Sequence, residues 1–391
     1  MLIWLLPACT STPSGSDANI TVQTDLSEPF DECALPCVTV SGPPGAALTL
    51  VADDEMLDSG TIGEDGLLSL CPSQGSLAPE AILSVEQNGV VLTSTVLDIR
   101  PFGYALGRER SYGAPDSLLW DTDWALEPQP FFRSEPGSWY RQAITSPHRA
   151  NDALYFSGKP TNDAPYLLGM VELDGLSVVG VSAAPILEPT DDSWDISGQV
   201  SPTIVEDSTQ RLLFYQGMGT DAVVPILGRA TSEDGETWSH PVSGSYGDPT
   251  DNKVSHPTAL IDESELIELW HLTEDGPVGL SLSDDGGQTF TPACVSLPMR
   301  GKSPEVAWIE DRYLMTWATV AEDEDVIRWA ESFDGIRWLQ RSAPILWASS
   351  TEWTMDGMSN AQLTWIDDEP WLLLVGVNDG AHSFGLAQPA E

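Results

Sequence analysis

The sequence has few basic residues. Its 391 residues include 16 Lys and Arg against 60 Asp and Glu, a formal net charge of -44. The lysines are Lys159, Lys253 and Lys302. Nucleic-acid binding needs a basic face for phosphate contacts, so this balance excludes nucleic acid as a partner, and it argues against docking on anionic lipid headgroups. The acidity is most simply a means of solubility, and the alternative is a surface that attracts cations or a basic partner.

Long apolar runs are absent as well. No stretch reaches the 18 or more apolar residues that indicate a membrane-spanning helix. A short apolar stretch at residues 1–8 is followed by Cys9 and a polar run to Asp17. Leu6-Pro7-Ala8-Cys9 resembles a bacterial lipobox, which implies lipidation of Cys9, a signal and tether over residues 1–17, and export. We therefore expect a protein lipid-anchored at the cell envelope or extracellular. The alternative is a disordered terminus with a chance cysteine, since no basic n-region precedes the apolar stretch.

Cysteine and histidine are too few to predict a metal site. Apart from Cys9 the chain has Cys33, Cys37, Cys71 and Cys294. Export permits disulfides, and Cys71 could pair with Cys33 or Cys37, between which the sequence does not choose. No stretch has the oxygen-ligand spacing of an EF-hand, so a structural Ca²⁺ ion lacks a motif and no cofactor is predicted.

Residues 18–99 contain short apolar runs separated by turn residues. Asn88-Gly89 lies between two such runs and is a strong hairpin signal. Six or seven short strands in about 80 residues are typical of a small immunoglobulin-like β-sandwich. Residues 100–114 contain several arginines and are expected to form a linker.

The remainder of the chain, residues 115–391, is repetitive. Five serines recur at separations of 55, 54, 48 and 56 residues, and an apolar and aromatic strand follows each of them. They stand in Ser146-Pro147, Ser201-Pro202, Ser255-His256-Pro257, Ser303-Pro304 and Ser359-Asn360. A four-stranded unit repeated every 50 residues or so is a propeller blade, which predicts an all-β chain ending in a five-bladed propeller. The fifth unit lacks its last strand, which we expect a segment near Ser117–Trp120 to supply.

A second signature lies within the units. It reads Ser232-Glu233-Asp234-Gly235-Glu236-Thr237-Trp238, recurs at Ser332–Trp338 and, in longer form, at Ser283–Phe290, and is degenerate at Leu173–Ser177. Ser and Asp side chains can bond the backbone of a tight turn, and glycine permits a positive φ. We expect the closing aromatic residue to pack the turn onto the next strand.

Together these residues resemble five-bladed propeller glycosidases of the arabinanase/xylosidase and fructan-hydrolase type, and the longer turn is similar to the Asp-box of sialidases. The arabinanase-like families keep one Asp before the first-blade Pro, a second Asp similarly placed in the next blade, and a Glu two residues before a later blade's Pro. The corresponding residues here are Ser146, Ser201 and Lys302. The family carboxylates are therefore missing at the expected positions, which argues against hydrolysis of that type.

Other residues near the blade starts are candidates for a site in the central funnel. Glu305 is the best candidate for an acid, with Asp356 as a second carboxylate. The candidate ligand-binding residues are His148, Arg149, Lys253, His256, Arg300, Lys302 and Asn360. Trp139, Trp194, Trp308 and Trp353 are expected to pack between blades, with sugar stacking as the alternative.

The sequence leaves three functions open. The first is an extracytoplasmic carbohydrate-active protein of glycoside-hydrolase-like type, with a glycan or polysaccharide ligand. The second is a non-catalytic surface module, a monomer that binds glycan or protein and touches the membrane only through a lipid anchor. The third is a sialidase-like hydrolase, which needs three convergent arginines in the funnel.

Overall fold

The computed structural model describes residues 21–23, 30–31, 38–52, 55–70, 80–88, 90–100, 119–187, 189, 194–219, 225–239, 242–243, 245–246, 254–272, 277–333, 335 and 338–390. Cys9, Cys33, Cys37, Cys71 and Lys253 lie outside the described residues, so lipidation and disulfide pairing stay predictions. The chain divides into two compact units, Met1–Gly107 and Arg108–Glu391. The described secondary structure consists of β-strands and two short 3-10 helices, Ala348–Ser350 and Glu352–Thr354, which confirms the all-β class. None of these helices is long and apolar enough to cross a membrane.

The first unit contains a three-stranded sheet of order β1-β3-β6 and a five-stranded sheet of order β2-β8-β7-β4-β5. The strands are β1 (Thr21–Gln23), β2 (Phe30–Asp31), β3 (Val38–Ser41), β4 (Ala47–Ala52), β5 (Glu55–Thr61), β6 (Leu67–Leu70), β7 (Glu80–Gln87) and β8 (Val90–Arg100). Val38, Val40, Leu48 and Leu50 are buried at alternate positions, as expected for strands with one face on a core. Asn88, with φ 51°, forms the predicted turn between β7 and β8. The immunoglobulin-like type stays a prediction.

The second unit consists of five β-sheets that follow one another along the chain. The first has β11 (Ala143–Ala150), β12 (Ala153–Lys159), β13 (Leu167–Asp174) and β14 (Ser177–Val181); the second has β15 (Gly198–Glu206), β16 (Arg211–Met218), β17 (Pro225–Ser232) and β18 (Val242–Ser243); the third has β20 (Ser255–Ile261), β21 (Ile267–Leu272), β22 (Pro277–Ser283) and β23 (Thr289–Arg300), with β19 (Ser245–Tyr246) on β23; the fourth has β24 (Lys302–Ile309), β25 (Arg312–Ala321), β26 (Glu324–Ser332) and β27 (Leu339–Gln340), with β28 (Leu346–Trp347) on β26; the fifth has β29 (Gly357–Ile366), β30 (Glu369–Asn378) and β31 (Ala381–Pro389).

The first strands of the five sheets form a ring. Strand β11 contacts β15, β15 contacts β20, β20 contacts β24, β24 contacts β29, and β29 contacts β11. The sheets are therefore the five blades of a β-propeller, and these inner strands surround its axis.

The outer strand of the fifth blade comes from the N-terminal side of the propeller. Strands β9 (Trp124–Leu126) and β10 (Phe132–Arg133) both pair with β31. We expected the segment near Ser117–Trp120 to supply this strand, so the position was wrong by a few residues. The indole Nε1 of Trp353 donates to the backbone oxygen of Glu127 at 2.8 Å and joins this segment to the fifth blade.

The turn signature forms the predicted hydrogen bonds. In the second blade the backbone N–H groups of Glu236 and Thr237 donate to Asp234 Oδ1 at 2.8 and 2.7 Å, and that of Gly235 donates to Ser232 Oγ at 2.8 Å. Gly235 has φ +80°. These bonds hold the pKa of Asp234 down at about 2, because they favour the ionised carboxylate.

The closing aromatic residue of each turn packs against the preceding blade as well as its own, which corrects the expectation that it packs onto the next strand. Three edge-to-face pairs join neighbouring blades, with ring centroids 5.6 to 5.9 Å apart. They are Tyr155–Trp238, Phe214–Phe290 and Trp270–Trp338. The turn motif is therefore a contact between blades.

The four tryptophans outside the turns are packing residues, as favoured. Trp139 stacks on Phe156 at 5.6 Å, Trp194 on Tyr215 at 5.8 Å, and Trp308 lies edge-to-face with Tyr313 at 4.6 Å. Trp353 is buried. Three of the four lie directly over glycines of a blade: a Cβ on Gly169 would be 2.4 Å from Trp139, one on Gly217 2.5 Å from Trp194, and one on Gly385 2.3 Å from Trp353.

Candidate functional site at the propeller axis

Each inner strand is interrupted at the same place by a β-bulge. At every bulge a residue other than glycine has a left-handed backbone, with φ between 49° and 53°. We call these five residues the axial floor: Ser146, Ser201, His256, Ser303 and Asn360. Such conformations are uncommon outside glycine and cluster at functional sites. Five copies at one level of a ring therefore direct attention to the axis.

The bulges correct the alignment of the sequence repeat. The serines of the third and fifth repeats, Ser255 and Ser359, precede the bulge, and the equivalents of Ser146 are His256 and Asn360. The bulge between Lys302 and Glu305 also means that β24 is not a regular strand. The inference that Ser303 and Glu305 share one face was therefore based on a wrong premise.

The axial floor is polar and carries no carboxylate. Ser146, Ser201, Ser303 and Asn360 are buried, and His256 is partly exposed. Ser201 Oγ donates to Ser146 Oγ across the first two blades at 3.4 Å. The positions at which the resembling hydrolases keep two aspartates thus hold a pair of hydroxyl groups in mutual contact.

Two residues beyond each floor residue lies a second set of side chains, which we call the girdle: His148, Thr203, Thr258, Glu305 and Gln362. They join neighbouring blades. Gln362 Oε1 accepts the backbone N–H of Arg149 at 2.6 Å, and Thr203 Oγ1 accepts that of Ala259 at 3.0 Å. Gln362 Nε2 also lies 3.3 Å from His148 Nδ1. Most of the girdle therefore closes the ring.

Glu305 differs from the rest of the girdle. Burial raises the pKa of its carboxyl to about 8, while hydrogen bonds from the side chains of Thr258 and Asn360 act in the opposite direction. The group is therefore mainly protonated at neutral pH. It is a neutral carboxylic acid that contacts a girdle residue of the third blade and a floor residue of the fifth.

Two histidines at the axis are neutral at neutral pH. Burial lowers the pKa of His148 to about 4, and a hydrogen bond to the backbone of Ile204 partly opposes this. Burial, followed by the nearby charge of Lys302, lowers the pKa of His256 to about 4. The Nδ1 atom of His256 is buried and has no hydrogen-bond partner, so it offers an unsatisfied polar atom in the floor.

Lys302 is exposed at the start of β24, directly before the floor residue of the fourth blade. The other residues at this position, Thr145, Val200, Ser255 and Ser359, are partly exposed, so the five form the rim of the funnel. The connection from β23 to β24 is Gly301 alone. Its Cβ, if present, would lie 2.4 Å from Trp317. The blades before β11, β15, β20 and β29 have longer connections, so the rim is least covered between the third and fourth blades.

Several candidate residues lie elsewhere. The guanidinium of Arg149 donates to the backbone oxygens of Asn151 and Gly175, at the end of β11 away from the rim. Asp356 is exposed and accepts the backbone N–H of Asp379 at 2.6 Å, which caps the turn between β30 and β31. Of Arg300 the structure describes the backbone pairing with Pro277.

Thr258 and Gln362 belong to the site and were missed in the sequence. The signal that finds them is the fixed offset from the floor residues, which needs the corrected repeat alignment. Within the described part of the chain, no group of three or more His, Cys, Asp or Glu side chains is placed to hold a metal ion.

Comparison with known proteins identifies the fold of this site. No family profile matches the sequence, and no curated protein is similar to it. Several solved structures match. BT0996 in complex with RGII has a TM-score of 0.55 and 15% identity, over 70% of the present protein and 94% of BT0996. A putative glycosidase from Bacteroides thetaiotaomicron has a TM-score of 0.54 and 13% identity, over 71% and 99%. The catalytic domain of a Coprinopsis cinerea GH62 α-L-arabinofuranosidase has a TM-score of 0.53 and 16% identity, over 69% and 97%. The fold is that of propeller glycosidases.

Proposed function

We propose that this protein recognises carbohydrate in the funnel of its propeller without cleaving it. The observation that carries the proposal is the composition of the axial floor, in which hydroxyl, imidazole and carboxamide groups surround the axis and no carboxylate is present. Neutral donors and acceptors suit the hydroxyl groups of a sugar. Hydrolysis by the usual mechanism needs two carboxyl groups flanking the bond, and floor and girdle together contain only Glu305.

The fold supports a glycan as the ligand. Two of the similar proteins were crystallised with glycans, BT0996 with RGII and an α-L-arabinofuranosidase of Podospora anserina with cellotriose. Identities of 15% and 12% extend this to the present chain only as part of the proposal. Attachment to a membrane through Cys9 would place the module at the cell surface, and this part rests on the sequence.

The test is a glycan-array binding assay on the full chain, together with an assay for new reducing ends on every glycan that binds. We expect binding without release. His256→Ala, which removes a floor side chain, should weaken binding about tenfold, since loss of a buried hydrogen-bonding partner costs roughly 1–3 kcal/mol. Ser177→Ala on the exposed outer strand β14 is the matched control and should bind as the parent does. Absence of binding to every glycan would rule out the proposal.

Glycoside hydrolysis is the second candidate, and the state of Glu305 favours it. A carboxyl group that is protonated at neutral pH has the property that a general acid needs. If reducing ends are released, Glu305→Gln should abolish the release while leaving binding intact. Release that survives this change would remove Glu305 from the reaction.

A sialidase-like reaction is not supported by Arg149, whose guanidinium is held by backbone oxygens away from the rim. The reaction would need its arginines from elsewhere in the funnel.

A further inference from the structure

Lys302 is unlike the other basic side chains that the structure describes. Each of the others is engaged within the protein: Arg133, Arg141, Arg149, Arg211, Arg229, Arg312, Arg328 and Arg341 donate to oxygens of the chain, and Lys159 lies over the ring of Tyr166. Among these described side chains, Lys302 alone has no hydrogen bond, ion pair or aromatic contact. In a chain with 60 acidic residues, a cation left unpaired at the rim of a funnel is notable.

The surroundings of Lys302 leave its charge accessible. The one-residue connection at Gly301 places no loop over it. Residues 322–325 form an acidic turn at the same end of the fourth blade, and none of them pairs with Lys302. Glu324 instead accepts the backbone N–H of Ser349.

The floor beneath Lys302 is compatible with an anion. Its charge acts on His256, the floor residue of the neighbouring blade, whose buried Nδ1 has no partner. The carboxyl of Glu305, on the same strand as Lys302, is mainly uncharged at neutral pH. The funnel therefore presents one accessible positive charge, an unsatisfied imidazole nitrogen and no opposing ionised carboxylate in floor or girdle.

We propose that the glycan bound in this funnel carries a single anionic group, of the uronate type, which pairs with Lys302 above His256. This rests on the proposed carbohydrate-binding function and narrows its ligand. The net charge of -44 disfavours a polyanion, because every further charge on the ligand meets an acidic surface. Screening over roughly 8–10 Å at physiological salt hides the distant acidic residues from one local charge. The expected ligand is thus a mostly neutral glycan with one acidic sugar.

The test uses the full chain on an array of matched oligosaccharides. Each singly charged uronic acid oligosaccharide stands beside its carboxyl-reduced neutral form, and each singly sulfated one beside its desulfated form. We expect the uronate to bind about tenfold more tightly than its neutral counterpart, a typical effect of one accessible ion pair supported by a hydrogen bond. Lys302→Met should remove this preference, Lys302→Arg should keep it, and Lys159→Met is the control on a lysine already in contact with Tyr166.

The outcomes separate this inference from the function on which it rests. Equal binding of charged and neutral members would overturn the anionic ligand and leave carbohydrate recognition standing. A preference for the charged member that persists in Lys302→Met would overturn the assignment to Lys302. A preference confined to sulfated members would overturn the uronate. Binding to no member of any pair would overturn both proposals.

Discussion

At the scale of single residues, the neutrality of the axial site is set by burial. Glu305 and His256 titrate in opposite directions, and burial disfavours the charged form of each. The carboxyl holds its proton and the imidazole releases it, so both groups are uncharged at neutral pH. This leaves Lys302 as the charge that a ligand meets first.

Glu305 also makes stability depend on pH. Its pKa of about 8 in the folded protein lies above the value near 4 of an unfolded chain. Below that lower value the group is protonated in both states, and its contribution to folding is fully present. As the pH rises towards 8 only the unfolded state ionises, so this contribution is progressively lost.

We therefore expect Glu305→Gln to gain stability relative to the parent as the pH rises from 5 to 8, by about 1.4 kcal/mol per pH unit. Urea unfolding at several pH values measures this. Glu369→Gln, at an exposed position of β30, is the control and should follow the parent. Parallel curves for Glu305→Gln and the parent would contradict the expectation.

At the scale of elements, the blades are fastened by tryptophans that lie over glycines. Gly376 and Gly385, on β30 and β31, lie beneath Trp353, and each would bring a Cβ within 2.2 to 2.3 Å of its ring. The same indole bonds Glu127, between β9 and β10. One side chain therefore joins the fifth blade to the segment that completes it.

Gly385→Ala should destabilise the propeller by about 1–3 kcal/mol, the usual range for overpacking a well-filled core. Thermal unfolding gives the comparison. Gly180→Ala on β14 is the matched control, since its Cβ would meet only the end of the flexible Glu172 side chain, at 3.1 Å. If both variants unfold at the same temperature, Trp353 does not constrain the blade as described.

At the scale of the whole molecule, the excess of acidic residues opposes folding. With 60 acidic and 16 basic residues, self-repulsion destabilises the compact state. Salt reduces it, because the screening length falls from about 10 Å at 0.1 M to about 3 Å at 1 M.

The melting temperature is accordingly expected to rise as sodium chloride increases from 0.1 to 1 M. Tetramethylammonium chloride should act equally if the effect is screening. An effect that needs sodium or calcium would instead favour a surface that binds cations. A melting temperature unchanged by any of these salts would show that repulsion is not a significant term.

The sequence by itself determined the features that depend on short stretches of chain. The repeat predicted the five blades and the Ser-Asp-Gly signature predicted the turns, because a blade is a local unit and Asp234 bonds residues two and three positions away. The same holds for Glu305 as a residue near the axis. Only the tertiary structure decided that His256 and Asn360, rather than Ser255 and Ser359, are the equivalents of Ser146. A bulge shifts the register by one residue without a mark in the sequence, and the pairing strand fixes its place. The raised pKa of Glu305 was likewise beyond the sequence, since its partners Thr258 and Asn360 come from other blades.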